Sequence, residues 1–472
     1  MKEEKKIDSG HTYELVALTE EEKKRAVESF SNFIQFETVS NTAPSTGEYK
    51  RASEFLTNEL RSIPCLDQIH YLEEAPEHSP VVVARWRGVE EDLPVILLNS
   101  HYDVVPANRE DWTVEPFQGL IKDGKIYGRG TQDMKCVCIQ YIEALRKLAT
   151  TNFQPVRSIY LTFVPDEEVG GGGMAALLSS SLYKNLPGIA LALDEGLASE
   201  NDTYSVFYGE RLPWWVDVTA KGNTGHGSRF IEHTAVEQII NLANRALEFR
   251  EGQKAVLHGT ELSAKHENCA HAVAAKKMRM TKDSNGSKMA LGDVTSLNIT
   301  TLRAGVLSGN EYVRNVVPPL AKCSLDIRIS PHVHPSEIKD MLDQWCQECS
   351  SSKEDGHILT WDYIGDGNNQ QEHAVTSTDG QINPWYNVFG SSLEKMGFKF
   401  SPEVFPAATD SRFLRALGVR ALGFSPMRNS EILLHENDEY LEEKVFLEGI
   451  SVYVGLIETL ASQGREIDHE AL

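Results

Sequence analysis

Ser158-Ile159-Tyr160-Leu161-Thr162-Phe163-Val164-Pro165-Asp166-Glu167-Glu168-Val169-Gly170-Gly171-Gly172-Gly173 decides how this chain folds. An almost unbroken apolar run ends at a proline, two adjacent carboxylates follow, and glycines close the segment. A short continuous apolar run bounded by turn residues reads as a strand buried on both faces. Val81–Trp86, Pro94–Ser100 and Ile189–Leu193 repeat the pattern. Helical periodicity separates them at Glu20–Phe36, Glu48–Ile63 and Asp133–Ala149. Alternating helices and short apolar strands predict an α/β domain built on a largely buried sheet.

The rhythm changes near Glu210. Strand Leu212–Ala220, helix Thr234–Arg250, strands Val294–Leu302 and Ala321–Ile329, helix Ser336–Cys349 and strand Ile358–Tyr363 follow in order. That βαββαβ succession predicts a self-contained ferredoxin-like domain. The α/β rhythm then returns, with helices at Pro384–Met396 and Ser411–Ala416, strand Ala421–Phe424 and a last helix from Glu439. A chain of 472 residues exceeds the usual single-domain size. The expected division is 1–209 and 366–472 for a discontinuous larger domain, with 210–365 inserted. Val256–Gly292 reads as an exposed, locally basic loop. Its His258, His266, Cys269 and His271 lack zinc-finger spacing, so a polar loop is favoured over an extra zinc site. Cys346 and Cys349 fall on one helical face and read as packing residues.

Charge narrows the classes of partner. Lys and Arg number 46 against 69 Asp and Glu, a formal net charge of -23. Such a surface repels phosphate backbones and anionic lipid, which disfavours nucleic-acid and membrane partners. No apolar run approaches the ~20 residues of a membrane helix. Met1–Gly10 is charged and lacks the apolar core of an export signal. Seven cysteines without framework spacing suit a reducing compartment, so the expectation is a cytoplasmic protein whose three N-x-[ST] sequons are fortuitous.

The chemistry gathers where strands end. His101 emerges at the carboxyl end of a predicted strand, where open α/β sheets place ligands. Asp103, two residues on, can hold the second imidazole nitrogen. Asp133 opens a predicted helix after Gly128-Arg129-Gly130, Asp194 terminates a buried strand, and His435 follows Glu431–Leu434. In extended backbone Glu167 and Glu168 would face opposite ways, so one can meet a metal while its neighbour meets water. The glycines form no phosphate cradle, because no Gly-Lys-Ser/Thr follows and the carboxylates would repel phosphate. Two histidines and four carboxylates on loop ends suit one or two zinc ions.

At these residues the chain resembles the co-catalytic zinc peptidase, aminoacylase and carboxypeptidase family, and its aminoacylase branch most of all. The resemblance runs through Ser100–Pro106, Trp112–Phe117, Tyr127–Lys135, Pro165–Gly171, Gly209–Val216, Gly225–Phe230, Asn315–Pro318, Asp326–Arg328, Ala407–Arg412, Gly423–Met427 and Leu434-His435-Glu436, within a span of about Phe30 to Tyr453. It implies a zinc-peptidase-like α/β catalytic domain, with a mixed sheet flanked by helices, whose inserted ferredoxin-like domain acts as lid and dimerisation surface. It implies two zinc ions per subunit, one held by His101, Asp133 and Asp194, the other by Asp133, Glu168 and His435. Glu167 would be the general base and then acid, and Asp103 would buttress His101. His226 would steady the oxyanion in a partner subunit of a homodimer, while Asn315, Arg328, Thr409 and Arg412 would hold substrate. The implied reaction is hydrolysis of N-acyl-L-amino acids, the alternatives being a dipeptidase or carboxypeptidase of the same family or a non-catalytic binding homologue.

Overall fold

The computed structural model describes residues 15–259, 289–351, 358–364 and 372–469. Most of the polar segment expected at 256–292, including His266, Cys269 and His271, therefore lies outside the described residues, as does Met1–Gly10. The chain divides into two units. One holds the chain up to Tyr208 together with Thr376–Pro402 and the chain from Thr409 onward, and the other holds Gly209–Val375 and Glu403–Ala408.

The first unit is built on an eight-stranded mixed sheet in the spatial order Leu66–Tyr71, Val82–Trp86, Ile159–Val164, Val95–His101, Ile189–Asp194, Ala421–Gly423, Thr203–Glu210, Lys399–Phe405. Its centre is parallel: Val95–His101 runs alongside Ile159–Val164 on one side and Ile189–Asp194 on the other, and Ala421–Gly423 runs parallel to Ile189–Asp194. These strands are buried along nearly their whole length, which explains their continuous apolar sequences. The register pairs His101 with Val164 and Gly423 with Asp194, so the strands finish along one rim. Alternate side chains serve two cores. Ile96, Leu98, Leu161 and Phe163 pack with helices Glu20–Ile34, Lys135–Leu148 and Glu443–Ala461. Leu97, Tyr160 and Ala192 pack with Met174, Leu177 and Leu414 from helices Gly172–Ser179 and Ser411–Ala416.

The second unit is built on a four-stranded antiparallel sheet in the order Ser296–Ala304, Leu320–Ile329, Leu212–Lys221, Leu359–Tyr363. This is the ferredoxin-like arrangement of the expected βαββαβ succession. Trp214, Val216, Val218, Leu325 and Ile327 form its core with Ile239, Leu242, Leu342 and Trp345 from helices Ala235–His258 and Pro335–Cys349. Cys346 and Cys349 are buried in the same core.

Several boundaries move. Helix Ala235–His258 is capped by Thr234, whose side chain accepts the Glu237 amide, and continues past Arg250 to a left-handed Gly259. The helix expected to open at Asp133 starts at Lys135, leaving Asp133 in the preceding turn. The last helix starts at Glu443 rather than Glu439, because Tyr440–Glu442 pairs as a strand with Lys125–Tyr127. Glu167 and Glu168 are not extended: Glu167–Val169 is a 3₁₀ turn entered through Asp166 at φ 66°.

Candidate metal centre

Two groups of side chains stand on the carboxyl rim of the first unit. Among the described residues, His101, Glu167 and Glu195 offer ligand atoms within 4.8 Å of one another, and so do Asp133, Glu168 and His435. Strand Val95–His101 delivers His101, Glu195 follows strand Ile189–Asp194, and the turn after strand Ile159–Val164 delivers Glu167 and Glu168. In a 3₁₀ turn successive side chains diverge by about a third of a revolution. The adjacent carboxylates therefore enter different groups, although the backbone geometry is not the expected one.

Asp133 spans both groups. Its Oδ1 lies 3.1 Å from His101 Nε2 and its Oδ2 lies 3.1 Å from His435 Nε2. His101 Nε2 is also 2.8 Å from Glu195 Oε2, and His435 Nε2 is 3.2 Å from Glu168 Oε2. Both imidazoles thus aim one nitrogen at a set of carboxylate oxygens, a donor set suited to holding metal ions.

Asp194 stands elsewhere. Its carboxylate accepts hydrogen bonds from Asn99 Nδ2 at 2.9 Å and Ser411 Oγ at 2.8 Å. The register that pairs Leu98 with Leu193 sets Asp194 level with Asn99, two residues short of His101. Glu195 takes the place beside His101 that the sequence reading gave to Asp194. Asp194-Glu195-Gly196 offers two acids at the strand end, and only the sheet register chooses between them.

Asp103 lies against both His101 and the acidic turn. His101 Nδ1 lies 3.1 Å from the Asp103 main-chain carbonyl and 3.5 Å from its carboxylate. The carboxylate also accepts the backbone amides of Glu167 and Glu168 and the Ser40 hydroxyl. Arg412 approaches the pair from helix Ser411–Ala416, its Nη1 lying 3.7 Å from Glu167 Oε1. Thr409 is buried and its carbonyl accepts from Arg412 Nη1 at 2.9 Å.

Burial strains this concentration of acid. It pushes the Glu167 carboxyl well above its usual range, with the Glu195 charge adding to the effect. Burial, then Asp133, raises Glu168 to about 7. Burial also raises Glu195, against the pull of His101. Burial pushes Asp133 the same way, yet hydrogen bonds from His101 and His435 hold its carboxyl below the usual value. Hydrogen bonds to Asp133 and Glu168 raise His435 to about 10. Among the described residues, Glu168 Oε1 is a buried acceptor without a hydrogen-bond partner. A divalent cation answers each feature, neutralising crowded carboxylates and occupying the orphaned oxygen. His101 and Glu195 would hold one such ion, Glu168 and His435 the second, and Asp133 both.

The other expected residues belong to the second unit. His226 pairs in a short antiparallel bridge with Val316, and its Nδ1 is 2.8 Å from Ser228 Oγ. The Asn315 carbonyl accepts the Gly227 amide at 2.7 Å, so these two residues share one ribbon. Arg328 lies on strand Leu320–Ile329, where its Nε and Nη2 donate to the two carboxylate oxygens of Asp326.

Comparison with known proteins agrees with this geometry. The chain is 40% identical over 435 residues to aminoacylase-1 of Dictyostelium discoideum, covering 91% of this chain and 97% of that protein. It is 40% identical over 436 residues to aminoacylase-1 of Sus scrofa, covering 92% and 95%. Its fold matches a dinuclear metal-binding peptidase of the M20 family from Bacillus subtilis with a TM-score of 0.60 at 13% identity, over 94% of this chain and all of the other. Residues 97–459 match peptidase family M20/M25/M40. The chain belongs to the M20/M25/M40 peptidase family.

Proposed function

We propose that this chain is a metal-dependent amidohydrolase that cleaves N-acyl-L-amino acids to a carboxylate and a free L-amino acid. One observation carries the reading: the Glu167–Glu168 turn divides its carboxylates between two histidine-containing ligand groups, in a chain 40% identical to aminoacylase-1 over nine-tenths of its length. Two zinc ions per subunit are the cofactors that the ligand types favour.

Bound cations supply Lewis acidity, polarising the scissile carbonyl and making water easier to deprotonate. Glu167 takes the proton of the attacking water on a carboxylate oxygen and returns it to the nitrogen of the departing amine. Burial raises its carboxyl, which favours holding that proton between the two transfers. Arg412, 3.7 Å from Glu167 Oε1, favours the ionised form that accepts it. Asp103 fixes the turn from behind, so Glu167 does not swing away as it changes charge. In the same reading His226 offsets the developing oxyanion from the partner subunit of a homodimer. Asn315, Arg328 and Thr409 orient the substrate, and the inserted domain serves as lid and dimerisation surface. The expected location is the cytoplasm, where cysteines without framework spacing stay reduced.

The test is a substrate panel: N-acetyl-L-amino acids against the matching dipeptides, with chelator and after zinc is restored. Turnover of the N-acetyl compounds that is lost to chelator and regained with zinc is expected. Preference for dipeptides with a free amine would replace this reading with a peptidase.

A further inference from the structure

Glu439 is fully buried, carries a carboxylate, and belongs to neither ligand group. Its environment is unusually rich in donors. Glu439 Oε2 accepts from Arg129 Nη1 at 2.9 Å and from the Gly130 amide at 3.0 Å, and Oε1 accepts the Gln132 amide at 2.6 Å. Oε1 also lies 3.4 Å from the amide of Asp133, the residue that spans both groups. Successive amides converging on one anion form a nest. Here the anion is supplied by a different loop, the one that carries His435.

Arg129 closes the link from the other side. Its Nη1 donates to the Glu436 carbonyl at 3.0 Å and its Nη2 to the His435 carbonyl at 3.3 Å. One buried ion pair therefore grips the Asp133 turn through its amides and the His435 loop through its carbonyls. A buried pair is a poor way to gain stability, since apolar residues of the same volume do as well or better. A pair whose donors and acceptors all lie in the two ligand-bearing loops fits geometry better than stability.

We propose that Glu439 is a positioning residue for the metal centre: with Arg129 it locks the Asp133 turn to the His435 loop and so fixes the spacing of the two ligands. This rests on Asp133 and His435 as ligands, which zinc counting on the wild-type protein tests separately.

The experiment measures zinc affinity of Glu439→Gln and Arg129→Lys by competition with a chromogenic chelator, alongside thermal melts of the zinc-stripped proteins. Removing a group that orients ligands typically costs ~10–100-fold in metal affinity. Both variants are expected to lose affinity of that order, with kcat falling more than KM rises. A role confined to stability would lower the melting temperature and leave the affinity of the folded protein alone. Wild-type zinc affinity in folded Glu439→Gln would overturn the proposal. Should that variant not fold, Arg129→Lys decides: it keeps the charge but loses the fork, and unchanged affinity there overturns the proposal equally. Because zinc binding is read without substrate, a failed substrate panel leaves this result intact.

Discussion

The carboxylate of Asp103 holds the backbone amides of Glu167 and Glu168 at 3.1 and 3.2 Å, so one acid suspends the turn from which both others project. Ser40 Oγ donates to the same carboxylate at 2.7 Å. Asp103→Asn exchanges one acceptor oxygen for a donor that faces an amide. We expect kcat to fall about 10–100-fold, with weaker zinc binding, because the turn loses its anchor. Ser40→Ala removes one neutral donor and should cost about 1 kcal/mol in stability with activity largely kept. Steady-state kinetics and chelator competition on the pair check the ranking; equal losses would show that Asp103 acts on something other than the turn.

Glu167→Ala separates proton transfer from metal binding. The group of Asp133, Glu168 and His435 is untouched, so zinc should be retained there while kcat falls about 10²–10⁴-fold. Zinc counted by atomic absorption beside single-turnover rates checks it. Loss of the ion beside His101 and Glu195 would make Glu167 a ligand rather than the base.

Subunit mixing addresses His226. Neither His226→Ala nor Glu167→Ala homodimers should turn over substrate appreciably. Heterodimers formed from the two inactive proteins should regain activity, up to about half that of wild type per dimer, if His226 serves the neighbouring subunit's centre. Mass-verified exchange without recovery would assign His226 to its own subunit or to no catalytic task.

Gly171 has φ +80°, and a Cβ there would lie 2.4 Å from Phe413 Cε2 and 3.0 Å from Asp410 Oδ1. Gly171→Ala should therefore destabilise the protein by about 1–3 kcal/mol, since backbone conformation and packing both object. Gly170 has open space where its Cβ would be, though its φ of +123° still disfavours a side chain. Urea denaturation of Gly171→Ala and Gly170→Ala should rank Gly171→Ala as the less stable.

His373 gives the second unit a pH dependence. Burial, then the nearby His334 and His332, lower its pKa from 6.5, against a hydrogen bond from its Nε2 to the Val333 carbonyl. The unfolded chain therefore takes a proton more readily than the folded one. This contribution is complete above the unfolded pKa near 6.5 and is lost as pH falls through the lower folded value. Asp293 Oδ1, 3.5 Å from His332 Nε2, tempers the cationic side of the cluster. Chemical denaturation from pH 7.5 to 5 should show stability falling with pH in the wild type and a shallower slope in His373→Gln.

Much of this molecule could be read from its sequence because the central strands are buried on both faces. Ile159–Val164 and Val95–His101 are therefore continuously apolar and hard to mistake. The edge strands were invisible for the opposite reason. Leu66–Tyr71 is mostly exposed and polar, and Lys399–Phe405 contains Pro402, which only an edge tolerates. The choice of Glu168 over Glu167 came from the family resemblance, whereas His101, Asp133 and His435 were legible as candidate ligands at loop ends. Glu195 was not, because sheet register decides between it and Asp194 and a single strand does not reveal its register. The 3₁₀ turn under Glu167 depends on Asp103, 64 residues away, and on a left-handed Asp166 that local propensity disfavours. Local sequence places Glu439 at the start of a helix, since its contacts arise only once Arg129 folds against it.

Strand Ala421–Gly423 lies between Ile189–Asp194 and Thr203–Glu210, which precede it in sequence by the whole second unit. During synthesis those two strands leave the ribosome long before the one that joins them. Until then their facing edges carry unpaired amides and carbonyls, a template for mispairing with another nascent chain. The same late stretch brings Arg412 and His435. Maturation of this enzyme is thus tied to the synthesis of this late stretch: a chain cut short before Ala421 lacks both the strand that joins the sheet and the histidine of the Asp133, Glu168 and His435 group.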